Sequence, residues 1–395
     1  MPPPERAGID PAKTAAAIEG AGFTSVWVGG GNAAPDAFER LRPMLAGSSR
    51  LIVATGIANV WAWEPGELRA AAEALAADFP GRLILGLGVS HAPAVAALGH
   101  SYERPLRKME KFLDELDHPA SHGADRDLPP VVLAALGPKM LELSRDQALG
   151  AHPYFTPPEH TAFARSVLGT MPLLVPEQAV TLSAEAAPGA RAYAERYLRL
   201  PNYTRNLERF GFTPADLTGG GSDRLISAII PSGPRAAGAA IRAHLDAGAD
   251  HVVIQPLDAS GGFAPAALGD LASVVTGLMS LHRPERPVLS PAPDASHPGE
   301  YRRPVTSYRW CTGSWMKYRP NVSMVNAAPS LRRPVRRHWS WLTPANRPAS
   351  GSAAAPSCRA TSTGSCSPYR SAVAVSSWSQ FGNRGSSSVS ISSSR

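Results

Sequence analysis

The run Leu51-Ile-Val-Ala-Thr-Gly-Ile-Ala-Asn-Val60 is followed, one helix later, by Phe79-Pro-Gly-Arg-Leu-Ile-Leu-Gly-Leu-Gly-Val-Ser-His-Ala-Pro93. The apolar stretches Leu51–Thr55 and Leu83–Leu87 read as buried strands. Each ends in a small, Gly-containing loop that opens toward the next helix. In α/β architectures ligands gather at the carboxyl ends of parallel strands, where loops are free to vary. Glycine at such a loop lets a flat ligand come close to the backbone. The two segments therefore read as floor and wall of one pocket.

Outward from this pair, β-rich runs alternate with helical patterns, the mark of a parallel sheet. Strands are predicted at Ser25–Val28, Leu51–Thr55, Leu83–Leu87, Val131–Ala135, Gly150–Phe155, Leu173–Leu182 and His251–Gln255. Helices are predicted at Ala15–Gly22, Pro35–Ala46, Pro65–Phe79, Tyr102–Asp117, Pro138–Asp146, Pro157–Leu168, Pro234–Ala247 and Phe263–Leu281. A helical insertion is predicted over 185–230. Seven strands are one short of a closed barrel, while an open doubly wound sheet can stop at seven. Because the pattern starts on a helix, the absent strand is the first. Residues 1–14 are expected to be disordered, and the three prolines of 1–10 keep that segment from supplying it. The expected architecture is a (β/α)8 TIM-barrel type lacking its first strand, over residues 15–282.

Charge divides the chain in two. Residues 283–395 hold 16 Lys and Arg against 3 Asp and Glu, a net +13, which leaves 1–282 with 23 against 29, a net −6. The basic balance thus belongs to the tail, and nucleic-acid binding is not expected of the body. All three cysteines (Cys311, Cys358, Cys366) lie in the tail, so the body has neither a disulfide framework nor a thiolate metal site. No signal-peptide pattern and no membrane-length apolar run are present. The expectation is a cytoplasmic protein acting on a small molecule without a membrane partner, with a homodimer allowed. The tail is rich in Ser, Pro and Arg, lacks sustained periodicity, and carries five of the eight tryptophans. Disordered linkers are poor in aromatics, so the tail reads as either an out-of-frame translation or a basic flexible extension, expected to lack stable structure.

Several loop residues are placed to carry chemistry. Ser90 and His91, in Gly88-Val-Ser-His91, follow a strand end, and His91 has a side chain that titrates near neutral pH; the plainer role is a loop cap. Gly56, Ile57 and Asn59 close the preceding strand, where Asn59 either donates to a ring carbonyl or bridges loop backbone. Ala135, Gly137 and Lys139 surround a Gly-Pro helix start whose free amides suit an anion. Trp61, His152, Tyr154 and Gln178 are candidate pocket walls. His152 and His160 lack the carboxylates and spacing of a metal site, and none is expected. Gly219-Gly-Gly-Ser-Asp-Arg224 has no preceding strand and no Gly-Lys-Ser, so Ser222 or Asp223 is read as a helix cap.

Together, Ala54–Val60, Phe79–Pro93, Val131–Met140, Gly150–His160, Pro201–Leu225 and Ala243–Gln255 resemble the luciferase-like monooxygenase superfamily, in particular its branch using the deazaflavin coenzyme F(420). The resemblance spans about residues 15–282. It implies a (β/α) barrel holding F(420), or alternatively FMN, at its carboxyl face. It also implies hydride transfer between the deazaflavin and a small organic substrate, or FMN-dependent oxygenation. It implies further a non-proline cis peptide at Gly56–Ile57, ring contacts from Gly88–His91 with His91 as the proton-handling residue, and phosphate-side contacts from Ala135–Lys139. Three departures stand out: the absent first strand, Gly29-Gly-Gly31 where relatives carry an acid or His, and His91 where some carry an acid. The contrasting reading is a catalytically dead, truncated barrel.

Overall fold

The computed structural model describes residues 10–29, 38, 41–117, 128–280 and the strand residues 316–317, 340–341 and 372–378. Two compact units emerge, one made of 1–285 with 371–395 and the other of 286–370. The second contains β10 (Met316–Lys317) paired antiparallel with β11 (Ser340–Trp341).

In the first unit, Asp10 caps α1 (Pro11–Gly20) by accepting from the amides of Ala12 and Lys13 at 3.0 and 3.3 Å. Residues 10–14 thus form the cap and first turn of a helix, which corrects the expectation of disorder there; residues 1–9 lie outside the described residues. The order continues β1 (Ser25–Gly29), α2 (Arg42–Ala46), β2 (Ile52–Thr55), β3 (Ala58–Asn59), α3 (Pro65–Asp78), β4 (Leu83–Gly88), α4 (Ala92–Ala97), α5 (Pro105–Leu116), β5 (Val131–Leu133) and α6 (Pro138–Gln147). Then follow β6 (Gly150–Ala151), α7 (Pro158–Leu168), β7 (Leu173–Leu174) and β8 (Glu177–Val180). The segment predicted as a helical insertion holds α8 (Pro188–Leu198), α9 (Pro201–Arg209), a short 3-10 turn and α10 (Asp223–Ile229). Ser222 caps α10 through the amide of Leu225. The body closes with α11 (Pro234–Asp246), β9 (His251–Pro256) and α12 (Leu268–Ser280).

The strands are parallel, in the order β7-β6-β5-β4-β2-β1-β12-β9-β8, where β12 is Ala372–Trp378 and β3 adds to β4. β7 and β8 flank Val175-Pro176 in one run of chain, and Tyr154 bridges to Glu177. The sheet therefore curls toward a ring, with the carboxyl ends of its strands on one side. The position beside β1 is filled rather than open. Val375 pairs with Val26 of β1 on one side and Ile254 of β9 on the other, which corrects the expected gap. The physical reason is that two parallel edges with free amides and carbonyls accept a β-favouring segment, and Ala372-Val-Ala-Val-Ser-Ser-Trp378 is one. Apart from β10, β11 and β12, the expectation for the tail falls outside the described residues.

Alternation along each strand sorts the side chains. Trp27, Ala54, Ile84, Val132, Val175 and Val253 form the cluster inside the barrel. Val26, Val53, Leu85, Leu133 and Ile254 face the other way, onto Ile18, Leu75, Phe112 and Ile241. Gly86 is demanded by close approach, since a Cβ there would sit 1.9 Å from the carbonyl oxygen of Thr55. Among the described residues no helix is long and apolar enough to cross a membrane.

Candidate active site

The mouth of the barrel is built from strand ends. At the end of β2, Thr55 Oγ1 donates to the Gly86 carbonyl at 2.8 Å, and the Gly56–Ile57 peptide that follows is cis. The side chain of Ile57 lies against Gly88, where a Cβ would come within 2.5 Å of it. Asn59 Oδ1 accepts from the Trp61 amide at 3.1 Å. The Trp61 indole donates to the Val89 carbonyl at 3.0 Å, with the Lys108 ammonium 5.4 Å from its ring centre. The Trp61 indole thus braces the two loops against each other.

After β4, Ser90 adopts a left-handed conformation (φ 56°) and its carbonyl accepts from the Tyr102 hydroxyl at 3.3 Å. His91 then stands at the start of α4. Its Nδ1 lies 3.1 Å from Asn202 Oδ1 on α9, and its ring centre lies 5.2 Å from that of Tyr203. Burial pushes the His91 pKa down, opposed by the Asn202 hydrogen bond.

Deeper in, His152 is buried, with Nδ1 donating to the Val175 carbonyl at 2.7 Å and Nε2 3.3 Å from Glu177 Oε2. The Tyr154 hydroxyl meets that of Tyr193, which donates to Gln255 Oε1. Tyr197 and Tyr203 pack on Tyr154 at ring separations of 5.1 and 5.9 Å. Desolvation raises the phenol pKa values of Tyr193, Tyr197 and Tyr203, so all three remain neutral hydrogen-bonding groups. The α8 and α9 helices therefore roof the mouth with aromatic rings.

Gln178 does not share this chamber. Its Nε2 donates to the carbonyls of Ala179 and Ile229, and its Oε1 accepts from His244 Nε2 at 2.9 Å. It faces the helical layer, while its neighbour Glu177 takes the inward position. Ala135 is likewise turned outward, packed with Leu141 and Ala151.

Gly137 caps α6 in extended conformation, ahead of Pro138, which leaves the amides of Lys139 and Met140 without intrahelical acceptors. A guanidinium nitrogen of Arg209 lies 3.5 Å from the point a Cβ on Gly137 would occupy, and Lys139, two residues further along, is exposed. Close by, His160 Nε2 donates to the Leu136 carbonyl at 2.9 Å. Its pKa falls to about 4, mainly through burial, with Arg209 adding to the shift. His160 Nδ1, Thr156 Oγ1 and both amide atoms of Asn206 are buried without partners. Buried polar groups are ordinarily satisfied, so this corner is chemically incomplete as it stands. It fits the phosphate side of a flavin-type group, with two free amides and the Arg209 guanidinium for the anion. Among the described residues no group of three His, Cys, Asp or Glu is placed to hold a metal ion.

Asn202, Tyr203, Asn206, Arg209 and Glu177 had no place among the residues expected from the sequence. The first four come from a helix more than 60 residues beyond Gly137, and no local spacing ties them to it.

The family model for luciferase-like monooxygenases matches residues 10–167. No curated protein matches the chain. Among solved structures, the coenzyme F420-dependent tetrahydromethanopterin reductase of Methanopyrus kandleri superimposes with a TM-score of 0.55 at 15% identity, covering 68% of this chain and 94% of that one. The oxygenating constituent of 3,6-diketocamphane monooxygenase from Pseudomonas putida, in complex with FMN, gives 0.51 at 12% identity, covering 67% and 90%. Monooxygenase RslO1 from Streptomyces bottropensis gives 0.50 at 15% identity, covering 69% and 92%. At these identities the likeness is one of fold. Over residues 10–167, then, the chain is similar to the luciferase-like monooxygenases, a family whose members are enzymes.

Proposed function

We propose that this protein is an oxidoreductase that holds coenzyme F(420) at the carboxyl face of its barrel and acts on a small organic substrate. The observation that carries this reading is the corner at the start of α6. There the Arg209 guanidinium stands against Gly137, and the buried His160, bonded to the neighbouring Leu136 carbonyl, feels the same charge. An anionic group set against free amides and a guanidinium forms charge-assisted hydrogen bonds. F(420) is favoured over FMN because its longer anionic tail can engage both Lys139 and Arg209. When bound, the deazaflavin supplies a carbon that accepts or releases hydride. The chain's own part is to hold the anion, roof the mouth with Tyr193, Tyr197 and Tyr203 against water, and present His91 to the bound molecule.

Fluorescence titration of the full chain with F(420) and with FMN tests the reading. F(420) is expected to bind more tightly, and Lys139→Ala or Arg209→Ala to weaken it by about 1–3 kcal/mol each. Comparable affinity for FMN would move the assignment to an FMN-dependent monooxygenase. Binding of neither would overturn the oxidoreductase reading in favour of an inactive barrel.

A further inference from the structure

His91 is not held by its own strand end. Its Nδ1 is 3.1 Å from Asn202 Oδ1, across 111 residues of chain, and Tyr203, the next residue on α9, sets its ring against the same imidazole. Among the described residues, Nε2 has no hydrogen-bond partner. In a neutral imidazole one nitrogen donates and the other accepts, and the bond made by one decides the state of the other. An amide oxygen can only accept, so it calls for the proton on Nδ1. Burial favours the neutral ring in the first place.

We propose that Asn202 is a positioning residue for His91: it fixes the proton on Nδ1 and leaves Nε2 as a hydrogen-bond acceptor toward the mouth of the barrel. The group that His91 recognises on a bound molecule is then a donor, an O–H or N–H, rather than a carbonyl. The inference rests on the barrel mouth being the ligand site, as proposed above. It adds that the α9 roof governs the chemistry of the strand-end histidine as well as covering it.

The test is the nitrogen-15 spectrum of histidine-labelled full-length protein at pH 7.5, with no cofactor added. The His91 signals are identified by their loss in His91→Gln. Wild type should show a protonated Nδ1 and an unprotonated Nε2. Asn202→Ala should shift the ring toward the Nε2-protonated form, and Asn202→Asp, whose carboxylate also accepts, should restore the wild-type pattern. A Nε2-protonated ring in wild type overturns the proposal, and so does an identical pattern in wild type and Asn202→Ala. If Asn202→Ala fails to fold, the wild-type spectrum together with that of Asn202→Asp still decides. Because the spectrum is read without cofactor, failure of F(420) and FMN to bind would count against the proposed function alone.

Discussion

The indole of Trp27 lies on the imidazole of His152, with ring centres 4.3 Å apart and planes inclined by 28°. One ring belongs to β1 and the other follows β6, so the contact crosses the inside of the barrel. It leaves His152 only its two nitrogens for polar bonds. Nδ1 is committed to the Val175 carbonyl, and Nε2 meets Glu177.

That arrangement makes His152 and Glu177 an energetic unit. Removing one member of a buried polar contact leaves the other short of a partner, at a cost of about 1–3 kcal/mol. Glu177→Ala and His152→Ala are each expected to destabilise on this scale, and the double variant by much less than the sum. A double-mutant cycle in urea measures the coupling; additive costs would show that the two side chains act independently.

Acid should unfold the protein earlier than carboxylate titration alone requires. The pKa of His160 falls to about 4 and that of His244 to about 3, in both chiefly through burial. An exposed histidine titrates near 6.5. As pH drops below 6.5 the unfolded chain takes up these protons and the folded chain does not, so stability declines from about 6.5 down to about 3–4. Above 6.5 the two groups contribute no slope. Urea midpoints at pH 7.5, 6.0, 5.0 and 4.5 should fall in that order, and His244→Gln should flatten the decline.

Deleting residues 371–395 removes β12 from its place between β1 and β9. The thermal midpoint should drop by roughly 5–10 °C, at roughly 2–4 °C for each kcal/mol lost in a domain of this size. Light scattering should rise on heating, because two parallel edges are then free to pair with other chains. An unchanged midpoint would show that the strand contributes nothing to the fold.

Two glycine substitutions should move stability in opposite directions. Gly86→Ala drives a Cβ to 1.9 Å from a strand carbonyl and should cost about 3 kcal/mol or more, since backbone must shift. Gly66→Ala, in α3 with nothing within 4 Å, should stabilise by about 0.5–1 kcal/mol through helix propensity. Thermal melts of the two variants beside wild type provide the comparison.

The strand ends were legible in the sequence because each apolar run stops at a glycine or a polar loop. Gly56 and Gly88 stand out in this way, and Gly137 through the Gly-Pro start of a helix. Facing was harder. Glu177 and Gln178 are adjacent, Pro176 interrupts the run before them, and nothing local says which of the two turns inward. Alternation places one in the chamber and the other on the helices, and only the partners His152 and His244 reveal which. The roof was legible as helix but not as chemistry, because Asn202 and Arg209 acquire their meaning from residues far away in sequence. The tail strand carried a faint signal in Ala372-Val-Ala-Val375, too short to stand out against its serine-rich surroundings.

The place of β12 also sets the order in which the molecule can be assembled. Ser25 pairs with Ala374, 349 residues further along the chain. A contact of that sequence separation raises contact order and carries a late loop-closure cost. At roughly 5–20 residues per second on the ribosome, β1 waits about 20–70 s for its neighbour to be synthesised. The ring is therefore completed only after β12 has been synthesised, and during that interval the nascent barrel is a natural client for a chaperone that shields unpaired strands.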